Sequence, residues 1–245
     1  MSLFPPALSW RARATYVAHA GKAVFRQHHR DLLPALRPML PADGVVLDVG
    51  AHAGQFAKLF AGLVPEGTVY AFEPSAYARS ILTLAVRARR LRNIAVVAAA
   101  LGDKPGEASL STPVKAAGSV RFGLAHLGTG GSGSPGAATR AEAVPVTTVD
   151  AFIAERAIPR VSFVKADVEG WEMRMLTGAA GTIRRFRPPM LIELVDGHLR
   201  RAGDTLESAW SLLTTWGYEA HTWTNGRLAR CEAPRDGDCF WLPAG

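Results

Sequence analysis

The chain has 245 residues, of which 48% are apolar and 20% charged, with a formal net charge of +7. That suits one large α/β domain or two small ones with a core of their own, and excludes a disordered chain. The longest uncharged apolar run, IAVVAAAL at 94–101, is too short to span a bilayer, and no N-terminal apolar region with a small-residue cleavage site is present, which points to a cytoplasmic protein.

Residues 1–40 read as a basic helical segment ahead of a single domain over 41–245. Trp10 to Arg30 (WRARATYVAHAGKAVFRQHHR) carries five Lys/Arg and no acid. Next come the apolar runs GVVLDV (44–49), TVYAFE (68–73) and NIAVVAAA (93–100), as buried parallel strands should be. The first two are followed by the helical stretches GQFAKLFAGL and AYARSILTLAVRARRL, the latter ending in the arginines of RARRLR (87–92). Residues 111–143 contain LGTGGSGSPGAATR, a Gly/Ser-rich insertion of the length used for mobile lids or substrate loops, or for a tolerated surface loop. VSFVKADV (161–168) and PMLIELVD (189–196) are further strands, with EMRMLTGAAGTIRRF between them. GYEAHTW (217–223), a turn at Asn225-Gly226 and DCFWLP (238–243) predict an antiparallel pair that closes the sheet. Cys231 and Cys239 fit no metal spacing and are expected as thiols. Strand–helix alternation of this kind predicts a doubly wound α/β sandwich.

The basic stretches favour an anionic partner such as phosphate, nucleic acid, acidic glycan or a membrane surface, with solvated helix faces as the plain alternative. No aromatic-interleaved basic stretch supports a specific nucleic-acid platform.

The fragment DVGAHAG, Asp48 to Gly54, ends a strand and starts a helix with a Gly-x-x-x-Gly spacing. A dinucleotide fingerprint would place glycine where His52 stands, and no G-K-[ST] occurs anywhere, which weakens NAD and ATP. Glu73, at the tip of the next strand, is placed to accept hydrogen bonds from both hydroxyls of a ribose. A glycine turn with a ribose carboxylate fits a nucleoside cofactor without a pyrophosphate site, and S-adenosylmethionine meets that description. A tight turn without any ligand is the alternative for Gly50 and Gly54.

The stretches VLDVGAHAGQFA, AFEPSAYA, NIAVVAAALGDKPGEASL, VPVTTVDAFI, VSFVKADVEGWEMRMLTGA and PPMLIELVD, in this order over roughly 44–196, resemble the FkbM family of S-adenosylmethionine-dependent methyltransferases. The resemblance implies a Rossmann-like class I methyltransferase fold: a seven-stranded sheet, mostly parallel with an antiparallel C-terminal strand, and helices on both faces. It implies that Asp48, Gly50 and Gly54, with Ala51 and His52 of the same turn, line the methionine part of the cofactor. Glu73, beside Pro74, would hold the ribose, and Ala100 and Leu101, with Asp103 nearby, would flank the adenine. Family members usually carry Asn where this chain has His52. The resemblance also supplies the acceptor class, a hydroxyl of a sugar, glycan or secondary metabolite.

A hydroxyl acceptor must lose a proton, to a general base or under the influence of a metal ion. The candidates at the carboxyl ends of the fourth and fifth strands are Lys165, Asp167 and Glu169 in VKADVEGWE and Glu193, Asp196 and His198 in LIELVDGH. Lys165, Asp167 and Glu169 share a parity on an extended strand, while N-capping of the following helix is the structural alternative for the two acids. Glu193 interrupts an apolar strand, so its carboxylate needs a hydrogen bond, a structural arginine or a cation. Mg²⁺ held by Asp167 and Glu193 is the lesser possibility. The basic N-terminal segment, with Arg11, Arg13 and Arg26, suits an anionic or lipid-linked acceptor and peripheral membrane contact. The competing functions are an N-methyltransferase and a non-catalytic nucleotide- or RNA-binding module.

Overall fold

The computed structural model describes residues 10–113, 126–127 and 139–245. Helix α1 (Trp10–Phe25) and the one-turn helix α2 (Leu33–Leu36) precede the sheet. The run VVLDV forms β1 (Val45–Val49), followed by α3 (Gln55–Leu63), β2 (Thr68–Phe72), α4 (Ala76–Ala88) and β3 (Ile94–Val97). The chain then leaves the sheet as β4 (Ala100–Leu101), β5 (Gly106–Pro113), β6 (His126–Leu127) and β7 (Thr139–Thr147). After α5 (Val149–Glu155) it returns as β8 (Phe163–Ala166), α6 (Glu172–Thr177), α7 (Ala180–Phe186) and β9 (Met190–Leu194). Then come α8 (Asp196–Ala202), α9 (Leu206–Thr215), β10 (Tyr218–Thr224), β11 (Arg227–Arg230) and β12 (Gly237–Pro243).

The main sheet has eight strands in the order β11-β10-β12-β9-β8-β1-β2-β3, and β4-β7-β5-β6 form a second sheet of four. β3, β2, β1, β8 and β9 are parallel, and β12 enters antiparallel between β9 and β10. Parallel strands are apolar on both faces because helices cover both. Leu47 and Val49 of β1 join one cluster with Phe152, Ile183 and Trp210, whereas Val46 joins the other with Phe60 and Phe163. Strand order reverses between β1 and β8, so the crevice beyond their carboxyl ends is where such a sheet takes ligands.

The main sheet agrees with the expected architecture, mostly parallel with helices on both faces, but has one strand more than expected. The Asn225-Gly226 turn joins β10 to β11, not to DCFWLP; the latter, as β12, pairs with β10 on its other side. The run 93–100 is not one strand: β3 stops at Val97, and Ala100-Leu101 cross to the second sheet to pair with Val146-Thr147. Of the expected insertion, 114–125 and 128–138 lie outside the described residues, while 111–113 and 139–143 belong to β5 and β7, paired from Gly106↔Val146 to Pro113↔Thr139. α4 ends at Ala88, so of the RARRLR arginines only Arg87 is helical. Cys231 and Cys239 are free thiols. Among the described residues no helix is long and apolar enough to cross a membrane.

The N-terminal segment is fastened to the domain at two levels. Tyr16, Ala20 and Ala23 of α1 pack on Ile81 and Ala85 of α4, with the Tyr16 and Tyr77 rings edge to face at 5.5 Å. Below them Lys58 of α3 is buried, and its ammonium donates to the carbonyls of Ala23 and, at 2.8 Å, Arg26. Those carbonyls close the last turn of α1, where a cation also meets the negative end of the helix dipole. Gln55 holds the next residues, accepting from the Gln27 side chain at 2.9 Å and the His28 amide at 3.2 Å. Lys58→Met keeps the length of the side chain and removes the donors. Hydrogen exchange should show the amides of α1 opening about 1.5–3 kcal/mol more easily with the strand amides unchanged. A uniform loss across the sheet would mean that Lys58 supports the whole core instead.

Candidate active site

The turn from β1 to α3 is tight for reasons internal to the fold. Gly50 has φ +75, and a Cβ there would lie 1.9 Å from the main-chain oxygen of Asp167. Gly54 has φ +82, precedes α3, and a Cβ would meet Leu82 at 2.4 Å. The amides of Gly50 and Ala51 both donate to the Phe72 carbonyl, at 3.1 and 2.9 Å, which ties the turn to the tip of β2. His52, exposed on the turn, also has a left-handed backbone (φ 49).

Glu73 closes this arrangement. One carboxylate oxygen accepts the His52 amide at 2.7 Å and the other the Ser75 amide at 2.8 Å, and the residue is 6% exposed. Burial pushes its pKa up to about 7, against those two amides and the charges of Arg79 and Lys165. The carbonyls of Glu73 and Pro74 are held by the Arg79 guanidinium at 3.0 and 2.6 Å. Asp48 is fully buried in β1 and neither of its oxygens makes a hydrogen bond; the Ala57 amide is near enough to favour ionisation but misses hydrogen-bond geometry. Burial pushes Asp48 up to about 6, opposed by the Lys165 charge. Ala100 and Leu101 are buried in β4, and the Trp171 indole N–H beside Gly102 is buried without a hydrogen-bond partner. Asp103 pairs with Arg174 at 3.6 Å.

The ends of β8 and β9 carry a cluster of acids around one ammonium. Lys165 is buried, opposite Asp48 in register, with its ammonium 3.3 Å from the Asp167 carboxylate and 3.5 Å from the Gly50 carbonyl. Burial pushes Asp167 upward, but the Lys165 charge and hydrogen bonds from Glu193 and Lys165 outweigh it and hold the carboxyl below its ordinary value. Glu193 is pushed the other way, to about 8, by burial, by the Asp167 charge and by the hydrogen bond the two carboxyls share. The two carboxyls therefore titrate as a pair, with Glu193 pushed toward its protonated form and Asp167 toward its charged one.

Three residues that sequence reasoning missed complete the cluster. Asp238 of β12 lies opposite Glu193 in register and adds to its upward shift. Phe56 of α3 has the Lys165 ammonium 5.1 Å from its ring centre. His29 stacks on Phe56 at 4.3 Å, where the charges of Asp238 and Lys165 both reach it. An acid opening the apolar run DCFWLP was the one local signal, for Asp238; nothing local marks His29 or Phe56.

Other expectations need correction. β8 stops at Ala166, and Glu169 sits in a left-handed turn (φ 52), so the shared parity with Lys165 and Asp167 does not extend to it. Burial and then the Asp167 charge push Glu169 to about 7. Neither acid caps α6. Glu172 does the local work instead, accepting the amides of Val168 at 3.0 Å and Gly170 at 2.9 Å. Burial pushes Glu172 to about 7. Glu193 pairs with Asp167 and not with an arginine. Asp196 binds Arg200 and accepts the Leu206 amide at 3.1 Å, a structural role at the start of α8. His198 stands in the first turn of α8 with its backbone against Gly170. For Mg²⁺ on Asp167 and Glu193, no group of three His, Cys, Asp or Glu able to hold a metal ion occurs among the described residues, and the Lys165 ammonium stands 3.3 Å from Asp167.

Residues 48–220 match the sequence model of the methyltransferase FkbM domain. No curated protein matches the chain in sequence. Among solved structures, a methyltransferase FkbM from Methylobacillus flagellatus KT superposes with a TM-score of 0.53 at 14% identity, covering 93% of this chain and 59% of that one. The chain thus spans about three fifths of that protein's length. A putative methyltransferase from Streptococcus mutans, in complex with SAH, gives 0.50 at 9% identity, covering 89% of this chain and 100% of the other. A putative O-methyltransferase from Klebsiella pneumoniae gives 0.50 at 10%, covering 98% and 93%. At these identities the likeness is one of fold.

The raised carboxyls have a measurable cost. A group whose folded pKa exceeds its unfolded value contributes stability that is present below the unfolded value and lost as pH rises through the folded one. Asp48, Glu73, Glu169, Glu172 and Glu193 all titrate this way, between their ordinary values near 4 and folded values of about 6 to 8. The thermal midpoint of the ligand-free protein should therefore fall as pH rises from 5 to 8, and Glu193→Gln should flatten the upper part of that fall. Parallel wild-type and variant curves would show that Glu193 is not displaced.

Proposed function

The chain belongs to the FkbM methyltransferase family, and on that premise we propose that it transfers a methyl group from S-adenosylmethionine to a hydroxyl of a sugar, glycan or secondary metabolite, anionic or lipid-linked. The residues present fit that cofactor. Asp48 offers a buried carboxylate with both oxygens unpartnered at the foot of the glycine turn. Glu73 has each oxygen fixed by one main-chain amide, which orients the carboxylate and leaves lone pairs for two ribose hydroxyls. Asp48, Gly50, Ala51, His52 and Gly54 would hold the methionine part, Glu73 and Pro74 the ribose, and Ala100 and Leu101 the adenine. When bound, the cofactor supplies an electrophilic methyl carbon on a sulfonium.

The observation that carries the hydroxyl reading is the carboxyl pair Asp167–Glu193 beside Lys165. An alcohol oxygen bonding to a methyl carbon must give up its proton, and this pair can take one when Glu193 is ionised. Lys165 fixes Asp167 in place and keeps it charged, while Glu169 and His198, farther round the cleft, would contact the acceptor. An amine nucleophile has less need of such a base.

Two measurements test this. At saturating S-adenosylhomocysteine, about 100 times its dissociation constant, the thermal midpoint should rise by roughly 5–10 °C, with no comparable shift from NAD or ATP. With an acceptor in hand, turnover should climb with pH through about 8 as Glu193 ionises. Glu193→Gln should cost roughly 10²–10⁴-fold and remove that limb. Full turnover in the variant would favour an amine acceptor.

A further inference from the structure

Helix α1 is apolar on two sides, and only one of them is covered. Tyr16, Ala20 and Ala23 face α4. Ala14, Val17, Ala18, Gly21 and Phe25 recur at the spacing of a second helical stripe on the opposite side. Val17 and Phe25, 57% and 85% exposed, are the large hydrophobic side chains left in the open among the described residues, and nothing lies within 4 Å of where a Gly21 Cβ would be. A phenylalanine so exposed at the end of a helix has no role in the core.

The charge at the C-terminal end of this stripe is of one sign. Lys22 on α1 and Arg26 just past it flank Phe25, and Arg87 on α4 with Arg89, Arg90 and Arg92 just past it are exposed. The two ends meet, since the Arg89 guanidinium donates to the Val24 carbonyl at 3.3 Å. None of these six cations forms an ion pair with a carboxylate among the described residues. No acid occurs between Trp10 and Arg30. Arg89 is engaged by the Val24 carbonyl, and no nearby acid neutralises the positive charge of the group.

We propose that this face of α1, with the end of α4, docks on an anionic lipid surface, Phe25 entering the headgroup boundary and the six cations resting on the lipid phosphates. An interfacial helix needs this pairing of an apolar stripe with flanking cations, each worth roughly 1 kcal/mol near an anionic leaflet. A nucleic acid would use the cations but leave Val17 and Phe25 unexplained. The docking stands apart from the methyl-transfer reading and also serves it. Phe25 is four residues from His29, so even a fully extended chain keeps it within about 14 Å of the stacked ring at the site, close enough for a lipid-linked acceptor to reach the cleft without leaving the membrane.

The test is flotation of the full chain with phosphatidylcholine vesicles, with and without phosphatidylserine. Binding should require the anionic lipid and weaken with salt. Phe25→Ser should reduce it about tenfold, and Lys22→Glu with Arg26→Glu by at least tenfold, at unchanged thermal midpoint. Binding that is absent, equal on neutral vesicles, or unaffected by the variants overturns the proposal. So does a dimer abolished by Phe25→Ser without effect on vesicles, or RNA binding that needs the same cations while vesicles do not bind. Midpoint shifts with S-adenosylhomocysteine, measured alongside, judge the cofactor reading separately.

Discussion

Lys165 holds together a group of acids that could not otherwise share one sheet edge. Its ammonium is buried between the Gly50 carbonyl and the Asp167 carboxylate, and its charge reaches Asp48, Glu73, Glu193 and Asp238. Carboxylates gathered in a poorly solvated crevice repel one another and resist ionisation. One central cation lets the nearest of them, Asp167, stay charged and leaves the others near the point of taking a proton. Its place is set by the sheet, since Lys165 sits in β8 between Asp48 of β1 and Leu191 of β9. The topology that makes the crevice thus also delivers its counter-charge.

The glycines of the β1 turn show how one sequence signal can serve two demands. Gly50 and Gly54 suggest a ligand pressed against bare backbone, yet the structure gives each a protein neighbour, the Asp167 carbonyl and Leu82. These demands do not compete. Because the Asp167 carbonyl crosses so near to Gly50, the chain that carries the carboxyl pair arrives directly beside the turn.

Strands β1, β2, β8 and β9 were legible in the sequence because burial on both faces leaves near-continuous apolar runs, and the glycine turn because positive φ leaves few residues to choose from. What was not legible depends on partners distant in sequence. No local pattern marks Val97 as the point where the chain departs for a second sheet, or places DCFWLP inside the first. Parity followed Lys165 to Asp167 and failed at Glu169 because the strand had already ended, and the capping expected of those acids fell to Glu172. The acid cluster was half seen, Asp167 and Glu193 standing out against apolar surroundings. Asp238 joins it only through antiparallel register with Glu193, and His29 only because Lys58 and Gln55 hold the N-terminal segment across α3.

The position of β12 bears on how the molecule comes into being on the ribosome. β9 and β10 emerge first with a gap between them that residues 237–243 alone fill, pairing with Met190–Leu194 on one side and Tyr218–His221 on the other. Until that late segment arrives, two strands wait with open edges, one of them the apolar run MLIEL, the kind of surface that recruits neighbouring chains or chaperones. The sheet is closed from its middle, and Asp238 takes its place opposite Glu193 in the same event. The last acid of the cluster and the last strand of the sheet thus arrive in one segment of chain.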